Sequence, residues 1–309
     1  MMIKLTETLS LFVLLFVCVG GLRAVAQPAD VTKGPVKNIG SGQFQAHYTV
    51  SCDAVIFVCV GTAMSVTEYE ELGKSVARRD PSAVAIIIDP HRGFLTKQNG
   101  TKFTDVVNAI SKDISNLVDS CSETKPQHYL IGGHSEGGQG AVEALKINQL
   151  VFPPAGFVGL APYKITPDLK ISIPSLNIGF SKMSCLVCPC EAALAAYSNS
   201  DSSNRVFYQL QTNNWNFVTG GPHCSFADNG CTLGICPGKG NISEWMHDFV
   251  GQTVHLFLEA IRVPDKFDYN HFLSAITTTG PREVDLFVNS DVAVMTKQGA
   301  IKADPVALR

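Results

Sequence analysis

Six short apolar runs, separated by stretches with helical periodicity, constrain this chain more than any other feature. They are AVIFVCV (54–60), AVAIII (83–88), HYLIGG (128–133), GFVGLA (156–161), PSLNIGF (174–180) and RVFYQLQ (205–211). Runs of this length, bounded by Gly, Pro and polar residues, read as strands. Their hydrophobicity is continuous rather than alternating, which requires cover on both faces. Between them, VTEYEELGKSVARR (66–79), FTDVVNAISKDISNLVDS (103–120) and EGGQGAVEALKINQL (136–150) carry apolar residues at the spacing of one helix face. This alternation predicts an α/β fold: a doubly wound, mostly parallel sheet with helices on both faces. A further helix is expected from Ser243 to Arg262, with Trp245, Phe249, Val254, Phe257 and Ile261 toward the sheet. EVDLFV (283–288) and VAVM (292–295) suit a small terminal hairpin, although residues 263–309 are the least readable part.

The first 26 residues have the layout of a secretory signal peptide. Lys4 supplies a positive start, Leu9 to Gly21 an apolar run, and Ala24-Val25-Ala26 a small-residue cleavage site. The run is shorter than the roughly 20 residues that span a bilayer, so cleavage rather than anchorage is expected. Residues 27–309 then form one α/β domain in a secretory or extracellular compartment. Two sequons, Asn99-Gly100-Thr101 and Asn241-Ile242-Ser243, agree with that route. The chain carries 24 Lys and Arg against 27 Asp and Glu, with no basic cluster. Nucleic acid is therefore not an expected partner, and the sequence is silent on oligomeric state.

Nine of the ten cysteines lie beyond the leader: Cys52, Cys59, Cys121, Cys185, Cys188, Cys190, Cys224, Cys231 and Cys236. In an oxidising compartment most should pair, and the odd count leaves one over. Cys59, inside AVIFVCV, suits a buried free thiol. The spacing of Cys185, Cys188 and Cys190 also fits a zinc site, but disulfides are favoured in a secreted chain, and no metal or cofactor is expected.

The strand HYLIGG runs into a glycine-rich helix start through Gly133, His134, Ser135, Glu136 and Gly137, the pattern G-x-S-x-G. A serine projecting from a tight strand-to-helix turn needs neighbours without side chains two residues away on either side. The turn sets Ser135 at a helix N-terminus, where unpaired amides favour developing negative charge. The N–H of Glu136 is one expected oxyanion donor, and the N–H of Thr62, in the loop after AVIFVCV, the second. His223, in GGPHCSF, follows the last of the six strands and is the expected base. His134, beside the nucleophile, should point away by the geometry of the turn.

With these segments in this order, the chain resembles the α/β-hydrolase superfamily, in the branch of chlorophyllases and cutinase-like polyester hydrolases. VIFVCVGTAMSVTEYEELGKSVARR, AVAIIIDP, GGHSEGG, PSLNIGF and TGGPHCSFAD carry the resemblance, which covers roughly residues 54–262. It implies an eight-stranded core and ester hydrolysis through Ser135 and His223. It also implies a disulfide between Cys185 and Cys224. The departure is the acid. The resemblance puts an Asp near Met183 or Ser184, or after the preceding strand near Ala161, and neither place holds a carboxylate. Asp168, Glu191 and Asp201 are the substitutes, and Glu191 is favoured because it follows the matching strand.

The expected function is a secreted serine hydrolase acting on small or lipid-like carboxylic esters, with Trp215 and Phe217 candidates for the pocket wall. A thioesterase or acyltransferase would share the machinery. The missing acid also motivates a non-catalytic binding protein that retains the fold.

Overall fold

The computed structural model describes residues 30–91, 99–181, 191–211, 222–228, 243–279, 283–289, 291–296 and 299–301. Among these, twelve strands form one sheet. They are β1 (Thr32–Lys33), β2 (Lys37–Ile39), β3 (Gly42–Tyr48), β4 (Ala54–Cys59), β5 (Ala83–Asp89), β6 (His128–His134), β7 (Gly156–Leu160), β8 (Ser175–Phe180), β9 (Arg205–Leu210), β10 (Glu283–Val288), β11 (Asp291–Thr296) and β12 (Gly299–Ile301). The main helices are α1 (Glu70–Arg79), α2 (Gly100–Lys112), α3 (Glu136–Ile147), α4 (Glu191–Ser198), α5 (Ser243–Arg262) and α6 (Tyr269–Thr279).

The strand order is β1-β3-β5-β4-β6-β7-β8-β9-β10-β11-β12, with β2 paired to β3. β5, β4, β6, β7, β8 and β9 run parallel, flanked by antiparallel β3 on one side and the antiparallel β10–β12 meander on the other. The protein is therefore an α/β structure on a mostly parallel, mixed sheet. β4 pairs with β5 on one side and with β6 on the other, so the chain reverses its winding direction there. Ligands of open α/β sheets bind beyond the carboxyl ends of the strands at such a switch point.

Continuous apolar strands bury both faces, as their composition requires. Ala54, Ile56 and Val58 of β4 join one core with Leu72 and Val76 of α1, Phe249, Val254 and Phe257 of α5, and Phe272 of α6. Val55, Phe57 and Cys59 face the other core, with Phe103, Val106 and Ile110 of α2 and Ala141 and Val142 of α3. Each fully buried side chain of this size contributes about 1.5–3 kcal/mol. Trp245 and Ile261 of α5 pack at the margin of the first core. Among the described residues no helix is long and apolar enough to cross a membrane.

The structure differs from the sequence expectations at several places. The helix expected over 103–120 starts earlier and breaks at Asp113, whose backbone leaves the helical region at φ −126° and ψ 22°; a separate turn follows at Ile114–Leu117. The segment expected as one helix from 66 opens as a 3-10 turn, Val66–Tyr69, before α1. The expected C-terminal hairpin forms as β10 and β11, and it extends the main sheet beside β9. β1, β2, β3, α6 and β12 have no counterpart in the sequence expectations. The leader at 1–26 lies outside the described residues, as do Asn241, Trp215, Phe217 and the cysteines at 185, 188, 190, 231 and 236.

Cys59 is free and buried, and burial pushes its thiol well above the ordinary range. Cys224 is disulfide-bonded, and its expected partner Cys185 lies outside the described residues. Cys52 and Cys121 form a disulfide across 69 residues, tying the start of β4 to the turn before β6. Closing a loop of that length removes entropy from the unfolded chain worth about 4 kcal/mol. The double variant Cys52→Ala, Cys121→Ala is expected to lose a comparable amount in a denaturant titration. A loss below about 1 kcal/mol would show that the cross-link is not a major constraint on the unfolded state.

Candidate active site

β6 ends and α3 begins within one residue, and Ser135 occupies the junction with φ 55° and ψ −125°. An L-residue with a side chain is strained there, at a cost of about 1–3 kcal/mol. The surroundings hold it. Ser135 N donates to Leu160 O at 3.1 Å, and Ser135 O accepts from Tyr163 N at 2.9 Å and Gly138 N at 3.0 Å. The flanking glycines are required by close approach. A Cβ on Gly133 would stand 2.6 Å from Cys59 O, and one on Gly137 would stand 2.4 Å from both Cys59 O and Val60 O. The glycine spacing in the sequence thus packs the turn against the carboxyl end of β4, at the switch point.

Glu136 is the first residue of α3, so its N–H has no partner within the helix. Thr62 is exposed in the loop after β4, next to Ala63 at φ 60°. Among the described residues neither amide is hydrogen-bonded. Gly61 is committed elsewhere, its N–H donating to the Tyr69 hydroxyl at 3.0 Å.

His223 lies in the 3-10 turn Pro222–Phe226 and is brought beside the serine turn. Its backbone oxygen accepts from His134 Nε2 at 2.8 Å, and the two imidazole rings stand 4.6 Å apart between centroids. Phe226 packs on His134 and on Phe180 at the end of β8. The side chain of His134 is buried and reaches the Tyr69 hydroxyl. Among the described residues no hydrogen bond joins Ser135 Oγ to His223. Such contacts are often long without substrate and tighten in the complex.

Among the described residues no carboxylate stands behind His223. Its Nδ1 is buried with no hydrogen-bond partner, and burial pushes its pKa down to about 4. Asp168 is exposed and pairs with Lys146, in the last turn of α3 and so at the opposite end of that helix from Ser135. Asp201 is exposed near Lys170 and precedes β9, at the amino ends of the parallel strands. Neither approaches His223. Glu191 opens α4 after β8, and its side chain is outside the described residues.

One carboxylate that the sequence reading passed over is Asp228, five residues after His223. It accepts from Glu71 N at 3.1 Å, capping α1, and lies 3.6 Å from His247 Nε2. Burial pushes its pKa up to about 6. Turned toward α1, it serves that helix rather than His223. Asn99 caps α2 through a bond from Lys102 N at 2.9 Å, so this sequon asparagine already has a structural role.

Compared with known proteins, the chain matches no family model and no curated protein.

Proposed function

We propose that this chain is a serine hydrolase of the α/β-hydrolase fold that cleaves carboxylic esters in a secretory or extracellular compartment. The observation that carries the reading is the backbone of Ser135, a strained non-glycine residue on a strand-to-helix turn at the sheet's switch point. Strain of that kind is kept where the surroundings enforce it, and active sites are where it clusters. The Cys52–Cys121 disulfide supports an oxidising compartment.

In this reading Ser135 Oγ attacks the ester carbonyl carbon while His223 takes its proton. The amides of Glu136 and Thr62 receive the charge on the carbonyl oxygen. Collapse expels the alcohol, which takes the proton from His223. Water, deprotonated by His223, then releases the acid and restores the serine. Small or lipid-like esters suit the machinery, and none of these steps calls on a cofactor.

A fluorophosphonate probe is expected to label the folded protein at Ser135. Ser135→Ala should abolish labelling and lower p-nitrophenyl butyrate hydrolysis by about four orders of magnitude or more. A folded wild type that does not react would sink the reading. Glu191→Gln tests the acid favoured by chain order: a rate within about twofold of the wild type would remove Glu191 from the mechanism, against the roughly 10⁴-fold loss that follows removal of a true acid.

A second reading, a non-catalytic binding protein, is favoured by one observation. Among the described residues nothing hydrogen-bonds to His223 Nδ1, and a histidine held near pKa 4 is a weak base for a serine. Hydrolysis that disappears in Ser135→Ala would exclude it.

A further inference from the structure

Tyr69, His134 and Gly61 form a chain of buried hydrogen bonds that the reaction steps above leave unused. His134 Nε2 stands 2.8 Å from the backbone oxygen of His223, which can only accept, so this nitrogen carries the proton and donates. The opposite tautomer would set two acceptors against each other. His134 Nδ1 is then an acceptor, and the Tyr69 O–H donates to it at 2.6 Å. The Tyr69 oxygen accepts from Gly61 N at 3.0 Å. Tyr69 is 0% exposed and His134 1%, so water does not compete for these bonds. Burial also holds the His134 imidazole neutral, well below its ordinary pKa, which keeps the chain intact.

The chain joins three loops that are far apart in sequence. His134 is on the turn that carries Ser135, Gly61 precedes Thr62 after β4, and His223 lies 89 residues beyond His134. They are the turn after β6, the loop after β4 and the 3-10 turn Pro222–Phe226. A Cβ on Gly61 would stand 3.0 Å from His134 Nδ1 and 3.3 Å from the Tyr69 hydroxyl, so the first loop is pressed directly on the chain. Because Tyr69 takes the Gly61 amide, the amide of Thr62 is the next one left for an oxyanion.

We propose that Tyr69 and His134 are positioning residues that lock the loop bearing His223 and the loop bearing Thr62 to the turn bearing Ser135. The proposal rests on the esterase reading. Neither residue touches substrate. They act by fixing the base and the oxyanion donor relative to the nucleophile, where a displacement of about 1 Å costs on the order of 100-fold in rate.

Tyr69→Phe removes one oxygen and leaves the ring, and His134→Phe keeps a planar ring without nitrogens. Fluorophosphonate labelling rates and p-nitrophenyl butyrate kinetics are to be measured for both singles and the double, with thermal melts. Each single is expected to lose about 10- to 100-fold in kcat with KM little changed. The double should lose no more than the worse single, because one chain is broken twice. A purely structural role would lower the melting temperature and leave kcat of the folded fraction unmoved. If His134→Phe does not fold, His134→Leu takes its place. Singles within about twofold of the wild type, or losses that multiply in full in the double, would overturn the link while leaving the esterase reading standing. A folded wild type that reacts with neither reagent brings down the esterase reading, and the link with it.

Discussion

Between pH 6.5 and pH 4 the protein is expected to lose most of its folding stability. His47, His223 and His247 are buried, and burial pushes the pKa of each from 6.5 down to about 4. His47 lies beneath α1, against Gly73, and among the described residues neither of its ring nitrogens is hydrogen-bonded. In the unfolded chain these histidines take up protons near pH 6.5, whereas in the folded protein they stay neutral until about pH 4. The unfolded state therefore binds more protons across the window, and stability falls as pH falls. Three groups displaced this far, at about 1.4 kcal/mol per unit, amount to a loss on the order of 10 kcal/mol, and His134, which burial also holds well below its ordinary pKa, adds to it in the same direction. Asp228 acts in the other direction. Burial pushes its carboxyl from 3.8 up to about 6, so the folded state holds an extra proton between those values and offsets about 3 kcal/mol. The remaining loss, on the order of 7 kcal/mol, is comparable with the whole stability of an ordinary domain. Denaturant titrations from pH 7.5 down to pH 4.5 check it. His47→Leu removes one of the three groups and should cut the proton uptake on unfolding by about one. Equal stability at pH 7.5 and pH 4.5 would refute the account.

These histidines also show what the sequence could and could not disclose. β4, β5 and β6 were readable because their apolar runs are unbroken, which is the signature of strands covered on both faces. β3 was not recognised, although Phe44, Ala46 and Tyr48 alternate with Gln43, Gln45 and His47, the strand period in plain form. The alternation misleads about exposure as well. Gln45 and His47 are as buried as their apolar neighbours, because α1 covers the face they point to, and only tertiary packing decides that. α6 had a helical signal in Phe272, Ala275 and Ile276, obscured by the run of threonines that ends it. At the site, the glycines around Ser135 were informative because their spacing is a local steric demand. The bond from Tyr69 to His134 was not, since it spans 65 residues and depends on how the 3-10 turn before α1 docks beneath the serine turn. Asp228 was hidden for the same reason: its partner is the N-terminus of α1, set by packing rather than by neighbours in the chain.

In the proposed esterase, a carboxylate introduced at Ala161 should raise ester hydrolysis and alter its pH profile. Ala161 follows β7, immediately beside the serine turn: Leu160 O accepts from Ser135 N, and Tyr163 N donates to Ser135 O. The proposed hydrolase reading has room for an acid after this strand. Ala161 is 7% exposed, shares an apolar cluster with Phe226 of the His223 turn, and is held at φ 41°. Asp tolerates the left-handed region better than Ala, so the backbone already suits the substitution. In the wild type no described residue partners His223 Nδ1 and its pKa is about 4, so the proposed base is neutral throughout and the rate should stay flat from pH 8 down to the onset of acid unfolding. In Ala161→Asp the carboxylate would accept from Nδ1, fix the tautomer that leaves Nε2 facing Ser135, and stabilise the imidazolium that forms as the serine attacks. A nearby negative charge favours the charged imidazole, so the pKa of His223 should rise, and an acid limb should appear at about pH 6 to 7. Since loss of an acid can cost about 10⁴-fold, a gain of about 10- to 1,000-fold in kcat is expected for one introduced without further optimisation. Ala161→Asn separates charge from shape: it accepts a hydrogen bond but cannot stabilise the imidazolium, and should show neither the full gain nor the limb. If Ala161→Asp is folded yet has the wild-type rate and a flat profile, the vacancy behind His223 is not what limits the chemistry.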